Sequence, residues 1–535
     1  MLCEQDDLGQ HATSASLGLL HGLAEAPHAG FGRPRQLAAE RDLLRHAAPH
    51  LAHAVDCVAA QPPDAGPPPF SLPPASLSPS SLSPSSILVT WARLVRAFTP
   101  AGASLPRGTI ELAALEAGGR TPPGPPLHHP RDTHGRLHAA AQVDPARLTV
   151  LCALDAAERG ATVLTRTRCL HARRGADGWE ATLHNRAGAA ATLLARALVN
   201  ATGPWAGRFL REQLHADPPV ASPQPRRLKS VHVVVRHPCA GRHAWRFPGE
   251  RGEGDDGDRA PPLLAVPLPG PLLAIGPLQA PWRGDPAAAV AEPADIDQLC
   301  RRAARHLRQP PAPADVVHAH AAVHIDLDDL PARAAGLRPH ALDLDRNGPP
   351  LLTVWGGELA AFRWLAEDAA DALTGLLAPQ GGAPRAAWTR HAHLPGGDLS
   401  FWLDEATLDQ PREPEDDLAQ ALLGLRRRHP WLELPLARRW LGAYGDRVRR
   451  LLDGVRRPAD LGPEVAPGLH DLELHYLKRV EWAACADDVL WRRTRLALHY
   501  TPAQRQQVAD WFAAQADRPG LAAVHTSWHS RLGRR

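Results

Sequence analysis

The chain has 535 residues, of which 60 are basic and 57 acidic, so its formal net charge is +3. These charges are spread along the chain, which argues against a dedicated nucleic-acid-binding protein because such a protein concentrates its basic residues. The seven cysteines form no CxxC pair, and no apolar run is long enough to cross a membrane or to form a signal peptide. We therefore expect a cytoplasmic protein, and the length allows two or three domains.

The N-terminal part begins with a predicted short strand at 1–3, followed by Glu4, a Thr/Ser-rich turn and a helix over 35–47. Residues 61–86 are rich in proline and serine and predict an irregular linker. In 87–98 the apolar residues recur at helical spacing. We expect this helix either to pack on the core or to contact a membrane surface, and the pattern favours neither.

From residue 148 the pattern is typical of an α/β protein, with a predicted helix over 148–160 and strands near 162–166, 168–173, 179–183 and 197–200. The last strand is followed by Ala201-Thr202-Gly203 and a predicted helix over 204–214. Gly203 removes the steric barrier to close approach, so a ligand can contact the bare backbone there. Taken alone, this turn is equally typical of any α/β protein.

The second half contains a predicted strand over 227–235, a glycine- and charge-rich loop over 241–262, and a strand over 351–355. That strand ends in Gly356-Gly357, which begins a helix to about residue 377. Beyond residue 390 the chain is predicted to be mostly helical to about residue 516.

A histidine-rich stretch superficially resembles a metal-binding set, because HxH spacing places two imidazoles on one face of a strand. Its members are His318, His320, His324, Asp326, Asp328 and Asp329. Since the chain contains 29 histidines, such a grouping also arises without a metal. We predict no metal site.

Three stretches carry a resemblance to a known family. They read Leu-Thr-Arg-Thr-Arg at 164–168, Leu-Val-Asn-Ala-Thr-Gly-Pro-Trp at 198–205, and Ala-Asp-Asp-Val-Leu-Trp-Arg-Arg-Thr at 486–494. Together they resemble the FAD-dependent, aerobic glycerol-3-phosphate dehydrogenases, which are quinone-linked. The likeness extends over nearly the whole chain, with gaps at 61–86 and 241–262.

The resemblance implies oxidation of sn-glycerol 3-phosphate to dihydroxyacetone phosphate, in glycerol and glycerophospholipid metabolism. FAD is the implied cofactor and a quinone the implied electron acceptor. It also implies a peripheral position at the inner face of the cell membrane, and it is compatible with a homodimer.

The resemblance also implies roles for particular residues. His232 falls on the family's histidine and would be the general base, and Arg338 falls on an arginine that would hold the substrate phosphate. His324 stands where another active-site arginine is expected, so a permanent charge becomes pH-dependent. The residues expected to hold FAD are Glu4, as the ribose acid, and Ser14, Ser16, His21, Gly22, Ala201, Thr202, Gly203, Gly356, Gly357 and Leu359.

The sequence also departs from the family. A FAD-binding Rossmann fold places GxGxxG about 20 residues before its ribose acid, so with Glu4 in that role we expect an N-terminally truncated chain. Glu358 stands where the family has a lysine, Gly18 replaces another lysine, and Ala360 and Ala361 replace threonines. These changes leave an alternative open: a catalytically dead homologue, either a partner-binding protein or the product of a decaying gene.

The predicted architecture is α/β with an all-α C-terminal domain. A Rossmann-like FAD-binding domain is expected from 1–60, 148–222 and 350–380, after which the linker occupies 61–86. We expect a sheet-containing substrate domain from 87–147 and 223–349, and a helical domain from 390–535.

Overall fold

The computed structural model describes residues 1–21, 32–60, 108–111, 134–215, 224–237, 243–249, 261–327, 340–377, 386–403 and 412–516. Its strands are β1 (Leu2–Cys3), β2 (Leu19–His21), β3 (His53–Ala60), β4 (Gly108–Glu111), β5 (His134–Gln142), β6 (Val163–Leu164), β7 (Thr167–Arg174), β8 (Trp179–Asn185), β9 (Ala190–Ala195), β10 (Leu198–Asn200), β11 (Leu214–His215), β12 (Arg227–Arg236), β13 (His243–Phe247), β14 (Leu263–Leu268), β15 (Leu272–Pro281), β16 (Val316–Ile325), β17 (His340–Asp345), β18 (Leu351–Gly356), β19 (Glu464–Ala466) and β20 (Leu469–His470).

The longer helices are α1 (Gly32–Ala47), α2 (Pro145–Glu158), α3 (Pro293–Ala304), α4 (Phe362–Leu377), α5 (Pro414–Arg428), α6 (Leu434–Tyr444), α7 (Val448–Leu451), α8 (Asp471–Val480) and α9 (Pro502–Ala516). The predicted linker and the predicted helix over 87–98 lie outside the described residues. No helix in the described ranges has both the length and the apolarity needed to span a bilayer.

The largest sheet has nine strands in the order β16-β12-β15-β14-β13-β3-β5-β2, with β4 also paired to β5. Its strands β2 and β3 come from the first 60 residues, and they pair with β5 and β13. One face of β12 carries Val231, Val233 and Val235, which pack against α3 in a buried apolar cluster. Because side chains alternate along a strand, His232 points to the other face of the sheet.

The strands expected to form the Rossmann sheet lie in two separate ladders. β1 pairs in parallel with β6, while β10 pairs in parallel with β18, which continues to β17. In the described residues no strand joins the two ladders. A four-stranded sheet, β11-β7-β8-β9, accompanies them.

Local signals explain why α2 forms where the sequence predicts a helix. The Asp144 side chain accepts hydrogen bonds from the N–H groups of Ala146 and Arg147 at 3.0 and 3.1 Å, and Pro145 occupies the first turn. These features satisfy the donors that a helix N-terminus leaves open. After the helix ends, Gly160 adopts φ +95°, a left-handed conformation that suits glycine.

The prediction of one regular helix over 204–214 is wrong. The chain forms a 3₁₀ turn at Gly203–Trp205, one α turn at Ala206–Arg208 and a π turn at Phe209–Gln213, and then enters β11. The wide turn is closed by the Leu214 N–H, which donates to the Phe209 carbonyl. Phe209 packs in a buried cluster with Trp179, and the parallel pairing of β11 with β7 requires the chain to leave the helix at this point.

The C-terminal region is built mainly from helices around one apolar core that includes Trp440, Tyr444 and Leu474. A small hairpin, β19–β20, was not expected from the sequence. A buried ion pair joins this region to α2, since Arg147 Nη2 lies 2.7 Å from Glu481 Oε1.

Candidate active site

A cavity of about 240 Å³ lies between one face of the large sheet, the loop at 10–17 and the segment at 491–498. The cavity is lined by polar and aromatic side chains that include His232, His318 and His320 from the sheet, Ser14 and Ser16 from the loop, and Trp491, Arg492 and Arg495 from the C-terminal segment. The structure thus brings together three of the predicted catalytic and FAD-binding residues, His232, Ser14 and Ser16, with His318 and His320 of the histidine-rich stretch. It adds three residues near the C-terminus that sequence reasoning missed as cavity residues.

His232 is the most perturbed group in this cavity. Burial lowers the pKa of His232 to about 3, and the neighbouring His320 and His324 act in the same direction. Its Nδ1 is buried and has no hydrogen-bond partner among the residues that the structure describes. Gly276 lies so close that a Cβ added there would overlap the His232 ring. The imidazole is therefore neutral at physiological pH and is held in place by packing.

The pKa values of the other two cavity histidines, His318 and His320, are also lowered. His318 stacks on Trp491 with ring centroids 4.2 Å apart, and its pKa falls to about 4 because of burial and the nearby His320, Arg505 and Arg495. Burial likewise lowers the pKa of His320, with Arg495 as the next cause.

The histidine-rich stretch does not assemble into a metal centre in the part of the chain that the structure describes. Asp326 pairs instead with Arg226, with Oδ2 and Nη2 2.5 Å apart. Asp328 and Asp329 lie outside the described residues.

Hydrogen bonds between residues close in sequence fix the conformation of the loop that carries Ser14 and Ser16. The Ser14 hydroxyl donates to the Gly9 carbonyl, and Ser16 Oγ accepts from the Gly18 N–H at 3.2 Å. Gly18 has φ +73°, and a Cβ there would overlap the Val143 carbonyl oxygen. The backbone therefore leaves no room for the lysine that the resemblance places at this position.

The glycine turn after β10 is organised by Asn200. Its Nδ2 donates to the Ala206 carbonyl at 3.1 Å, and its Oδ1 accepts from the Thr202 hydroxyl at 2.7 Å. Gly203 adopts φ +56°, and the space where its Cβ would lie is open. Ala201 and Thr202 are exposed. The turn therefore presents bare backbone to an approaching ligand.

The second glycine turn, after β18, is more closely covered. Gly356 and Gly357 have φ +69° and +122°, and the Leu327 side chain occupies the space that a Cβ of Gly356 would take. Leu359 packs on the apolar cluster that contains Leu20. Glu358, which precedes Leu359, is half-buried.

Three further predicted site residues, His324, Glu4 and His21, do not line the cavity. His324 is on the same sheet face as His232, where its Nδ1 lies 3.2 Å from Ser230 Oγ. Glu4 directly follows β1, and burial raises its pKa although the Asp6 N–H donates to it at 3.0 Å. His21 pairs with Ala140 across β2 and β5. Arg338 and Gly22 lie outside the described residues.

A buried ion network holds Arg492 at the cavity. The Asp7 carboxylate accepts from Arg493 Nη1 and Nη2 at 2.5 and 2.9 Å, and from Arg492 Nε at 2.5 Å. Arg492 and Arg166 also bind Asp488, whose pKa is lowered by the Ala484 N–H and these arginines despite its burial. The network ties the N-terminal loop to the C-terminal signature across the whole length of the sequence.

Comparisons with known proteins identify the family of this chain. The family described as DAO, FAD dependent oxidoreductase, matches residues 1–363. The glycerol-3-phosphate dehydrogenase of Pseudomonas aeruginosa is 34% identical over 530 residues, covering 98% of this chain and 92% of that protein. The corresponding enzyme of Pseudomonas tolaasii is 32% identical over 511 residues, covering 95% and 89%.

The fold agrees as well. The crystal structure of the glycerol-3-phosphate dehydrogenase from Bacillus halodurans complexed with FAD matches with a TM-score of 0.67 at 20% identity, covering 96% of this chain and 85% of that one. The predicted α/β class with a helical C-terminal region is confirmed. The chain belongs to the FAD-dependent oxidoreductases and, within them, to the glycerol-3-phosphate dehydrogenase family.

Proposed function

We propose that this chain oxidises sn-glycerol 3-phosphate at C2 to dihydroxyacetone phosphate with FAD as cofactor and a quinone as electron acceptor. The observation that carries the proposal is the cavity that buried, neutral His232 lines together with Ser14 and Ser16. Family membership supports the substrate, because the relatives named above are glycerol-3-phosphate dehydrogenases.

His232 is the proposed general base. A neutral imidazole can accept the proton of the C2 hydroxyl, while FAD, when bound, accepts the hydride from C2. A pKa of about 3 makes His232 a weak base. Proton transfer therefore depends on the hydroxyl becoming acidic as the hydride leaves, and on the surrounding protein groups keeping water out.

The residues present fit the flavin half of FAD on two observations. The backbone at Gly203 is open to a ligand, and the serine loop borders the cavity beside His232. We propose that the cofactor is held by Glu4, Ser14, Ser16, His21, Gly22, Ala201, Thr202, Gly203, Gly356, Gly357 and Leu359.

The substrate phosphate needs cationic partners. Arg492 and Arg495 line the cavity, but carboxylates already engage both: Arg492 pairs with Asp7 and Asp488, and Arg495 Nε lies 2.9 Å from Asp144 Oδ2. We therefore propose Arg338 as the phosphate ligand, and His324 as a weaker, pH-dependent contact.

The family assignment also suggests a cellular location and an oligomeric state for the protein. By analogy with the quinone-linked family, we propose a peripheral association with the inner face of the cell membrane, and a homodimer. Both extend the functional proposal and rest on the family assignment alone.

The alternative, a catalytically dead homologue, is favoured by specific observations. Leu327 covers Gly356, Gly18 leaves no room for a side chain, and Glu358 stands where the family has a lysine. A carboxylate near the flavin ring would oppose the negative charge that develops on hydride transfer.

The visible absorption spectrum of the purified chain, with and without added FAD, separates these functions. An oxidised-flavin spectrum that bleaches anaerobically with glycerol 3-phosphate supports the enzyme. His232→Asn should retain the spectrum and slow the bleaching by about 10²–10⁴-fold, whereas His184→Asn, at an exposed position on β8, should bleach normally. Bound flavin that does not bleach, or no flavin binding, supports the dead homologue.

A further inference from the structure

The carboxylate of Asp285 contacts the segment that directly follows the glycine turn at 201–203. The Trp205 indole Nε1 donates to Asp285 Oδ1 at 3.1 Å, and Arg208 Nη1 donates to Asp285 Oδ2 at 3.0 Å. Asp285 lies 80 positions from Trp205 in the sequence. It therefore joins the turn, at two points, to a distant part of the chain.

Contacts within the turn fix its shape but not its place in the molecule. The side-chain hydrogen bonds of Asn200 join residues at most six positions apart. The place of the turn depends on contacts with other segments, and Asp285 supplies one of them. It follows the end of β15 closely, and β15 is the strand whose Gly276 lies against the His232 ring. The position of the turn relative to His232 thus depends in part on Asp285.

Asp285 is itself held in a defined position. Its Oδ1 also accepts from the Ala287 N–H at 2.9 Å, which caps the short 3₁₀ turn that follows. Its backbone carbonyl accepts from the Trp282 indole N–H at 3.2 Å. The Ala287 N–H, followed by the side chains of Trp205 and Arg208, lowers the pKa of Asp285, so the carboxylate is charged at neutral pH.

Trp205 extends this contact to the loop that borders the active-site cavity. His11 packs edge-on against the Trp205 ring, with centroids 5.0 Å apart and ring planes at 67°. His11 Nε2 lies 2.8 Å from Asp6 Oδ2. Because Ser14 and Ser16 lie on the same loop, Trp205 connects two segments that are proposed to hold FAD.

We propose that Asp285 is a positioning residue that holds the turn at 201–203 and, through Trp205, the serine loop in the arrangement that receives the flavin. The inference rests on the proposed function in naming the flavin as the ligand. In this role Asp285 acts through Trp205. Because hydrogen bonds and ion pairs at exposed positions contribute little to overall stability, losing this contact should loosen the turn without unfolding the chain.

Hydrogen–deuterium exchange of the full chain without flavin tests the contact itself. Trp205→Phe keeps an aromatic ring beside His11 and removes the donor, so the amides of 203–208 should exchange about fivefold faster at an unchanged thermal midpoint. Asp285→Ala should give the same increase, whereas Asp285→Asn keeps an acceptor oxygen and should exchange as the parent does. The matched control is Asp177→Ala, at an exposed position between β7 and β8, which should also keep the parental rates.

Titration with FAD, followed by the quenching of flavin fluorescence, tests the consequence for the ligand. Asp285→Ala should weaken FAD binding about fivefold, and Asp285→Asn should restore it. Parental exchange rates in both Trp205→Phe and Asp285→Ala would overturn the proposal, and so would faster exchange combined with parental FAD affinity. If the parent binds no flavin, the proposed oxidation fails, and the exchange rates alone then decide whether Asp285 holds the turn.

Discussion

Replacing Asp7 by Asn should lower the free energy of unfolding by about 3–5 kcal/mol, because it leaves buried guanidinium groups without their counter-charge. The Asp7 and Arg493 side chains are both 0% exposed, and Arg492 also bonds to this carboxylate. After the substitution, Arg493 keeps its hydrogen bonds to the Glu481 carbonyl and can donate to the new amide oxygen, but it loses the negative charge that faces it. The expected loss is a large fraction of the roughly 5–15 kcal/mol that stabilises a typical domain.

Urea unfolding followed by tryptophan fluorescence measures this loss. The matched control is Asp155→Asn, which breaks an i,i+4 pair with Arg159, whose side chain is 49% exposed, and should cost less than about 1 kcal/mol. Glu481→Gln, which breaks the buried pair with Arg147, should resemble Asp7→Asn and gives an independent measurement. If Asp7→Asn lost no more stability than Asp155→Asn, the buried network would not be what joins the two ends of the chain.

Two further predictions concern protonation and packing. Burial holds the pKa of both His50 and His232 at about 3, so below pH 6.5 only the unfolded chain takes up these protons. The free energy of unfolding should therefore fall by about 2 kcal/mol per histidine between pH 7 and pH 5. In urea titrations at several pH values, the unfolding free energy of His50→Gln should depend less steeply on pH than that of the parent. Equal slopes of unfolding free energy against pH would contradict the lowered pKa of His50. Gly276→Ala should displace the His232 ring and reduce the rate of flavin reduction, whereas Gly375→Ala, with open space in α4, should not; equal rates would refute the packing argument.

Local patterns predicted much of the fold. The helix predicted over 148–160 appears as α2, with its cap at Asp144, and the strand predicted over 227–235 appears as β12. Local patterns failed where distant contacts determine the backbone conformation, as in the predicted helix over 204–214. The π turn after Arg208 depends on Phe209 packing near Trp179, which is 30 positions away in the sequence.

In the candidate site, too, the sequence indicated some of the residues and gave no signal for others. The resemblance indicated His232 and the serine loop, and the structure places them in one cavity. Nothing local indicates that Trp491 and Arg495 line that cavity, since they lie more than 250 positions from His232. The short Asp-Asp sequence at 6–7 and the Arg-Arg sequence at 492–493 are complementary in charge, but many other pairs in this chain are equally complementary.

The ion pair between Asp7 and Arg493 spans 486 positions of the sequence. On a ribosome, the loop that carries Asp7 emerges long before its partner, because Arg493 is synthesised 486 positions later. Contacts of such long separation form late, because the entropy of closing the intervening chain opposes them. The cavity lined by both segments is therefore completed only after residues 491–498 have been synthesised, and a nascent chain that stops before residue 491 lacks one wall of the cavity.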